Sequence, residues 1–191
     1  MQKTELQIVF YLLQDKENTG KTFRDIAEAT GVSLGAVHGA ISALTEQGYI
    51  IDNGERRVIR KRNSLIARWA QNYAETLKPK LLVGRFTFLN ADVKACWREI
   101  LLPGTLSWGG EPAAALTDNY IAPERWDIYT ADNANALIST ARMIPSPQGE
   151  IFVYKRFWKT EGTPPLIVYA DLLATNDDRC REAAERIKPL I

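Results

Sequence analysis

Residues 22–48, TFRDIAEATGVSLGAVHGAISALTEQG, constrain this chain more than any other stretch, because they read as two short helices joined by a tight turn. Phe23, Ile26, Ala27 and Thr30 recur at helical spacing, Gly31 interrupts, and Val37, Ile41 and Leu44 resume the same period. Ser33 stands where the second helix begins, and its hydroxyl can accept from the free N–H groups of the first turn. Gly31 supplies the positive φ that a sharp turn needs. Ala27 is small where two crossing helices approach, and Val32 fills the corner between them. The stretch is therefore expected to form a helix-turn-helix, a unit that commonly places its second helix in a DNA major groove.

The flanks extend this unit. Residues 3–14 carry Leu6, Val9, Phe10 and Leu13 on one face, which predicts an amphipathic first helix closing the core. Gly48 follows the last periodic residue in the place of a helix C-cap, and residues 49–51 then read as a strand. A turn signal at 52–55, Asp-Asn-Gly-Glu, precedes a returning strand at 56–60. Residues 49–61 are thus a β-hairpin wing, and 1–62 a winged helix-turn-helix domain. Residues 63–79 read as a connecting helix ended by Pro79.

From residue 80 to 191 the texture changes to alternating short elements. Strands are expected at 85–89, 106–108, 125–130, 151–158 and 166–169, and helices at 92–102, 112–119, 135–143 and 177–187. The second domain is therefore α/β-layered, with helices covering at least one sheet face, and the whole chain is mixed α+β.

Bulk properties narrow the function classes. A net charge of +1 over 191 residues argues against a protein that coats nucleic acid non-specifically. Residues 1–62 hold nine Lys and Arg against eight Asp and Glu, and the remainder balances. One cluster stands out: Arg56, Arg57, Arg60, Lys61 and Arg62 put five cations into seven positions at the end of the wing. Apolar runs fall well short of the roughly 18 residues that span a bilayer, and MQKTELQ at the N-terminus is no apolar signal segment, so a cytoplasmic protein with no membrane role is expected. Cys96 and Cys180 lack CxxC spacing and are read as buried free thiols.

The second helix of the motif should face DNA with Ser33, Gly35, His38, Gly39 and Ser42, none of them cationic. The bidentate Arg or Lys contact to guanine is missing, so base reading must rest on His38, the hydroxyls, and apolar contact from Leu34 or Ala36 to thymine methyl groups. Phosphate contacts are expected from Thr22, Arg24 and Ser33 and from Arg56, Arg57, Arg60, Lys61 and Arg62. Gly35 and Gly39 either let the helix lie close to the groove floor or pack against a neighbour. His38 either meets DNA or is an exposed, idle ring, and the wing cations either touch phosphate or are a solvated face. A winged helix can also serve as a protein-interaction module.

No enzyme is expected. The only histidine lies in the helix-turn-helix, so no Ser-His-Asp, Cys-His or two-His metal site can be assembled in the second domain, and no cofactor or metal is called for. The best enzymatic candidate is the turn Trp108-Gly109-Gly110-Glu111, whose paired glycines could offer N–H groups to an anion, with Glu111 as acid or base. The simpler reading is a strand-to-helix turn with Glu111 placed favourably at a helix N-terminus. Asp171, Asp177 and Asp178 carry the same two readings, with Asn176 or Asp177 expected to cap the last helix.

The winged helix-turn-helix followed by SWGGEPAAALTDNY at 107–120, RWDIYT at 125–130 and PPLIVYADLLATNDDRCREAAERI at 164–187 resembles the AbiEi-type antitoxins of type IV toxin-antitoxin systems. The resemblance implies an N-terminal domain that binds an inverted repeat in its own promoter as a repressor, with pairing of protomers on DNA. It also implies a C-terminal domain that counters a nucleotidyltransferase-like toxin. On that basis Ser33, His38 and Ser42 would face bases, and Arg56 and Arg57 would grip phosphate. The alternatives are an orphan regulator without a toxin and a protein-interaction scaffold that does not read DNA.

Overall fold

The computed structural model describes residues 1–54 and 56–191. Glu55, the last residue of the expected wing turn, lies outside the described residues. The chain divides into two compact units, residues 1–77 with 191, and residues 78–190.

In the first unit α1 (Lys3–Gln14) is followed by a 3₁₀ turn, Lys16–Gly20, then α2 (Phe23–Thr30) and α3 (Leu34–Glu46). The helix ends are set locally. Thr22 accepts from the Asp25 N–H while Asp25 accepts from the Thr22 N–H, a reciprocal cap on α2. Gly31 takes φ 71° in the left-handed region, where a Cβ would be strained, and Ser33 caps α3 by accepting from the Ala36 N–H. Gly48, also at φ 71°, releases the chain into β1 (Ile50–Asp52), which pairs antiparallel with β2 (Arg57–Ile59).

Helix α4 (Arg62–Asn72) packs on α1: Trp69 is fully buried, donates its Nε1–H to the Leu6 carbonyl at 2.8 Å, and stacks on Tyr73 at 4.9 Å. The expected single helix over 63–78 instead changes pitch, to a π turn at Tyr73–Leu77 and a 3₁₀ turn at Lys78–Leu81. Pro79 forces this change, since it lacks the N–H that an α-helix would use there.

The second unit is built on a five-stranded mixed sheet. Its elements in order are β3 (Leu82–Phe88), α5 (Ala91–Ala95), β4 (Leu106–Gly109), α6 (Gly110–Asp118), β5 (Trp126–Thr130), α7 (Asn135–Ser139), β6 (Met143–Pro145), β7 (Ile151–Lys155), α8 (Pro165–Leu173) and α9 (Asp178–Ile187). The strand order is β4-β5-β7-β3-β6, with β5 and β7 parallel and the other pairs antiparallel. Trp97, Trp108 and Trp126 meet edge to face with centroids 5.2–5.8 Å apart, and Phe88 joins them on Trp126.

Three expected elements differ. Residues 166–169 are not a strand but the middle of α8. Leu166 to Leu172 are all buried, so the helix has no polar face to show a 3.6 period, and Pro165 at its first turn presets a helical φ. The helix expected at 92–102 is one short helix and a 3₁₀ turn, Trp97–Glu99, after which Leu101 stands 85% exposed. The helix expected at 135–143 ends at Ser139, because Arg142 turns at φ 52° and Met143 enters an edge strand on β3.

Cys180 is buried, but Cys96 is exposed, against the expectation that both are core thiols. Burial pushes the Cys180 thiol from 9.0 up to about 11. A thiol reagent at pH 8 should therefore label Cys96 quickly and Cys180 only as the chain opens, with both reacting in denaturant. An unfolded thiol ionises from about pH 9 while the folded one resists to about 11, so this group's contribution to stability falls as pH rises through that interval. Urea titrations of the native chain and of Cys180→Ala across pH 8–11 should show a shallower alkaline loss in the variant.

Candidate nucleic-acid interface

The helix-turn-helix presents an open groove of 810 Å³ lined by Thr22, Phe23, Arg24, Leu34, His38 and Arg57, with Gly20 and Gly35 at its floor. Its apolar wall is a short stack. The Arg57 guanidinium lies 4.4 Å over the Phe23 ring, and Phe23 meets His38 edge to face at 5.6 Å. Ser33, Leu34, Gly35, His38 and Gly39 are exposed, and Ser42 is half-buried on the same helix. A Cβ at Gly35 or Gly39 would meet nothing within 4 Å, so neither glycine exists to let another part of the described chain approach. Each is nonetheless about 1 kcal/mol less favourable than alanine within a helix.

The hydroxyls of Thr22 and Ser33 accept capping bonds, which leaves each O–H proton free to donate outward. Arg24, Arg56, Arg60 and Lys61 are exposed. Arg57 and Arg62 are partly committed to backbone acceptors. Arg57 donates Nε–H to the Thr19 carbonyl at 3.2 Å and an Nη2–H to the Lys21 carbonyl. Arg62 donates from Nη2 to the Leu13 carbonyl at 2.7 Å, and burial lowers its pKa against the pull of Asp15. Arg57 thereby fastens the wing to the turn that leads into α2. Sequence spacing alone could not separate these two arginines from their neighbours.

In the second unit the structure assembles a cluster that sequence reasoning missed. Lys78 Nζ lies 2.5 Å from Asp127 Oδ2 and 2.7 Å from Asp171 Oδ1, with all three side chains buried. Tyr129 donates its hydroxyl to Asp171 at 2.8 Å, and the Gly110 N–H donates to Asp171 Oδ2 at 3.1 Å. Arg125 donates Nε–H to Asp127 Oδ1 at 3.1 Å and Nη2–H to the Tyr154 hydroxyl at 2.9 Å. The anion at the paired glycines is thus the chain's own Asp171, held by the Gly110 N–H. Gly109 has to be glycine, since a Cβ there would fall 2.5 Å from the Tyr129 ring. Glu111, buried, accepts from the Glu124 N–H at 2.9 Å and from Arg179 at 3.0 Å, and Asp177 caps α9 by accepting from the Arg179 N–H. These partners make Glu111 a structural anchor for α9.

The family described as transcriptional regulator, AbiEi antitoxin, type IV TA system matches residues 57–191, and winged helix-turn-helix DNA-binding matches residues 1–51. The chain belongs to the AbiEi antitoxin family. Comparison with curated proteins and with solved structures finds no match. Both matched families are regulatory rather than enzymatic. This AbiEi antitoxin therefore carries a winged helix-turn-helix DNA-binding domain ahead of its antitoxin region, and among its described residues no helix is long and apolar enough to cross a membrane.

The buried cluster sets a stability test. Burial, the largest influence, pulls the Lys78 ammonium down, but Asp127, Asp171 and Tyr154 together hold it above its ordinary value of 10.5. Burial, the largest influence, also pushes the Asp171 carboxyl up; Lys78 and the Tyr129 hydroxyl oppose this, and the neighbouring Asp127 charge adds to it. Lys78→Met strands both carboxylates and should cost about 3–5 kcal/mol in urea unfolding at pH 7. The lysine's contribution is complete below pH 10.5 and is lost only as pH rises through its higher folded value.

Proposed function

We propose that this AbiEi antitoxin represses its own promoter and counters a nucleotidyltransferase-like toxin. Residues 1–62 are the operator-binding domain on this reading, residues 63–79 the connection, and residues 80–191 the part that acts on the toxin. The observation that carries the DNA half is an exposed α3 face free of charge, with Arg24 on the groove beside it and Arg56, Arg60 and Lys61 exposed on the wing and just after it. A neutral, low-relief helix can enter a major groove closely while cations at its margins meet the two phosphate backbones. Ser33, His38 and Ser42 then face base edges, Gly35 and Gly39 allow close approach, and the Thr22 hydroxyl joins the phosphate contacts. An inverted repeat suits two protomers binding side by side.

The groove beside Phe23 and Leu34, being apolar, also favours a second reading, in which a protein segment rather than DNA occupies this face. The two readings separate on a duplex carrying the inverted repeat from the chain's own promoter. With two to four phosphates neutralised per protomer, the slope of log affinity against log salt should be about −2 to −4. Arg56→Ala and Arg60→Ala should each lower affinity for every duplex and reduce the slope by about 1, while protection against the toxin survives. Gel-shift titrations showing equal affinity for the repeat and for random duplex would remove the operator reading.

A further inference from the structure

The first unit holds a second, smaller cavity, of 180 Å³, between the 3₁₀ turn Lys16–Gly20 and the returning strand β2. Its lining is Lys16, Thr19, Arg56, Val58, Ile59 and Arg62, three cations without an acid among them. Among the described residues neither Lys16 nor Arg56 forms an ion pair. Thr19 is 1% exposed and its Oγ1 has no hydrogen-bond partner, although its backbone carbonyl is engaged by Arg57. A buried hydroxyl left unpaired is unfavourable and is ordinarily satisfied by a partner from outside.

Arg62 is held in place by the Leu13 carbonyl at 2.7 Å and an Ile191 oxygen at 2.6 Å, both accepting from Nη2, which leaves the Nε and Nη1 donors for a ligand. Asp15 acts on Arg62 but its own carboxylate already caps the 3₁₀ turn by accepting from the Glu17 N–H. Val58 and Ile59 make part of the wall apolar, which strengthens charge interactions inside. The volume is below the roughly 300–1,000 Å³ of sites for drug-sized ligands, and suits a single small group.

We infer that this cavity receives one phosphate group, with Lys16, Arg56 and Arg62 supplying the charge and Thr19 Oγ1 a hydrogen bond. Three cations exceed what one carboxylate would balance, and the required ligand is an anion with several acceptor oxygens. The phosphate can come from the backbone of bound duplex or from a free phosphate. The duplex source rests on the DNA-binding proposal above, and the free source does not.

The test uses the full chain, with inorganic phosphate and duplex DNA as separate probes. Amide NMR shifts are followed as phosphate replaces chloride at constant ionic strength, and duplex affinity is measured across salt for the native chain, Lys16→Gln and Thr19→Val. Thr19→Val keeps shape and charge, so it separates a built pocket from general attraction to cations.

Saturable shifts at Lys16, Thr19, Arg56 and Arg62, weakened about five- to tenfold in both variants, support the pocket with free phosphate as ligand. A duplex salt slope that falls by about 0.9 in Lys16→Gln, with Thr19→Val weakening all duplexes at unchanged slope, supports the backbone source. If the native chain binds no duplex, the DNA reading fails and the phosphate shifts alone decide the pocket. Native-like phosphate and duplex binding by both variants overturns it, as does an effect confined to Lys16→Gln.

Discussion

A carboxylate taken out of water needs compensation from several directions at once, and Asp171 imposes that requirement on the whole second unit. Its partners arrive from separate elements: Lys78 from the turn before β3, the Gly110 N–H from the start of α6, and the Tyr129 hydroxyl from β5. Asp127 shares the lysine and is itself held by Arg125, so two carboxylates are matched by two cations in one connected network. The network ties α6 and α8 to β5 at one point. It also dictates sequence where there is no side chain: Gly109 lets the Tyr129 ring pass, and Gly110 takes φ 46° so that its N–H can reach Asp171.

The first unit solves a related problem with a guanidinium. A β-hairpin of three residues a strand has little core of its own, and Arg57 supplies the attachment it lacks. Its donors bind two carbonyls of the turn before α2, and its flat face covers Phe23. A cation so engaged is a poor mobile partner for phosphate. What it provides is position, since Arg56 and Arg60 extend from a strand whose root is fixed.

Much of the first unit was legible in the sequence because its signals are local. Gly31, Ser33 and Gly48 each act on backbone within three or four residues, and the structure places their caps and turns as read, while the cap by Thr22 is an addition to that reading. The second unit was legible in its strands and opaque at its centre. Asp127 and Asp171 lie 49 and 93 residues from Lys78, and nothing local marks the three as neighbours. Helix α8 is hidden for a related reason: a segment buried all round shows no period, so its apolar run of strand-like length reads as a strand. Within the candidate interface the residue types were visible, but which arginines face inward was not, because that depends on the carbonyls of residues 13, 19 and 21.

These placements bear on how the proposed interface would discriminate. Phosphate contacts carry no sequence information, and α3 offers no Arg or Lys to guanine, so direct reading falls to His38 and two hydroxyls. Gly35 and Gly39 weaken α3 without relieving any contact in the described chain. A helix of low relief gains most where the groove floor is close, and closeness is set by the duplex shape and by cations held at fixed distance on the wing. On this reading Arg57 governs selectivity without touching DNA: loosening the wing would let Arg56 and Arg60 follow any backbone, raising tolerance for wrong sequences more than it lowers affinity.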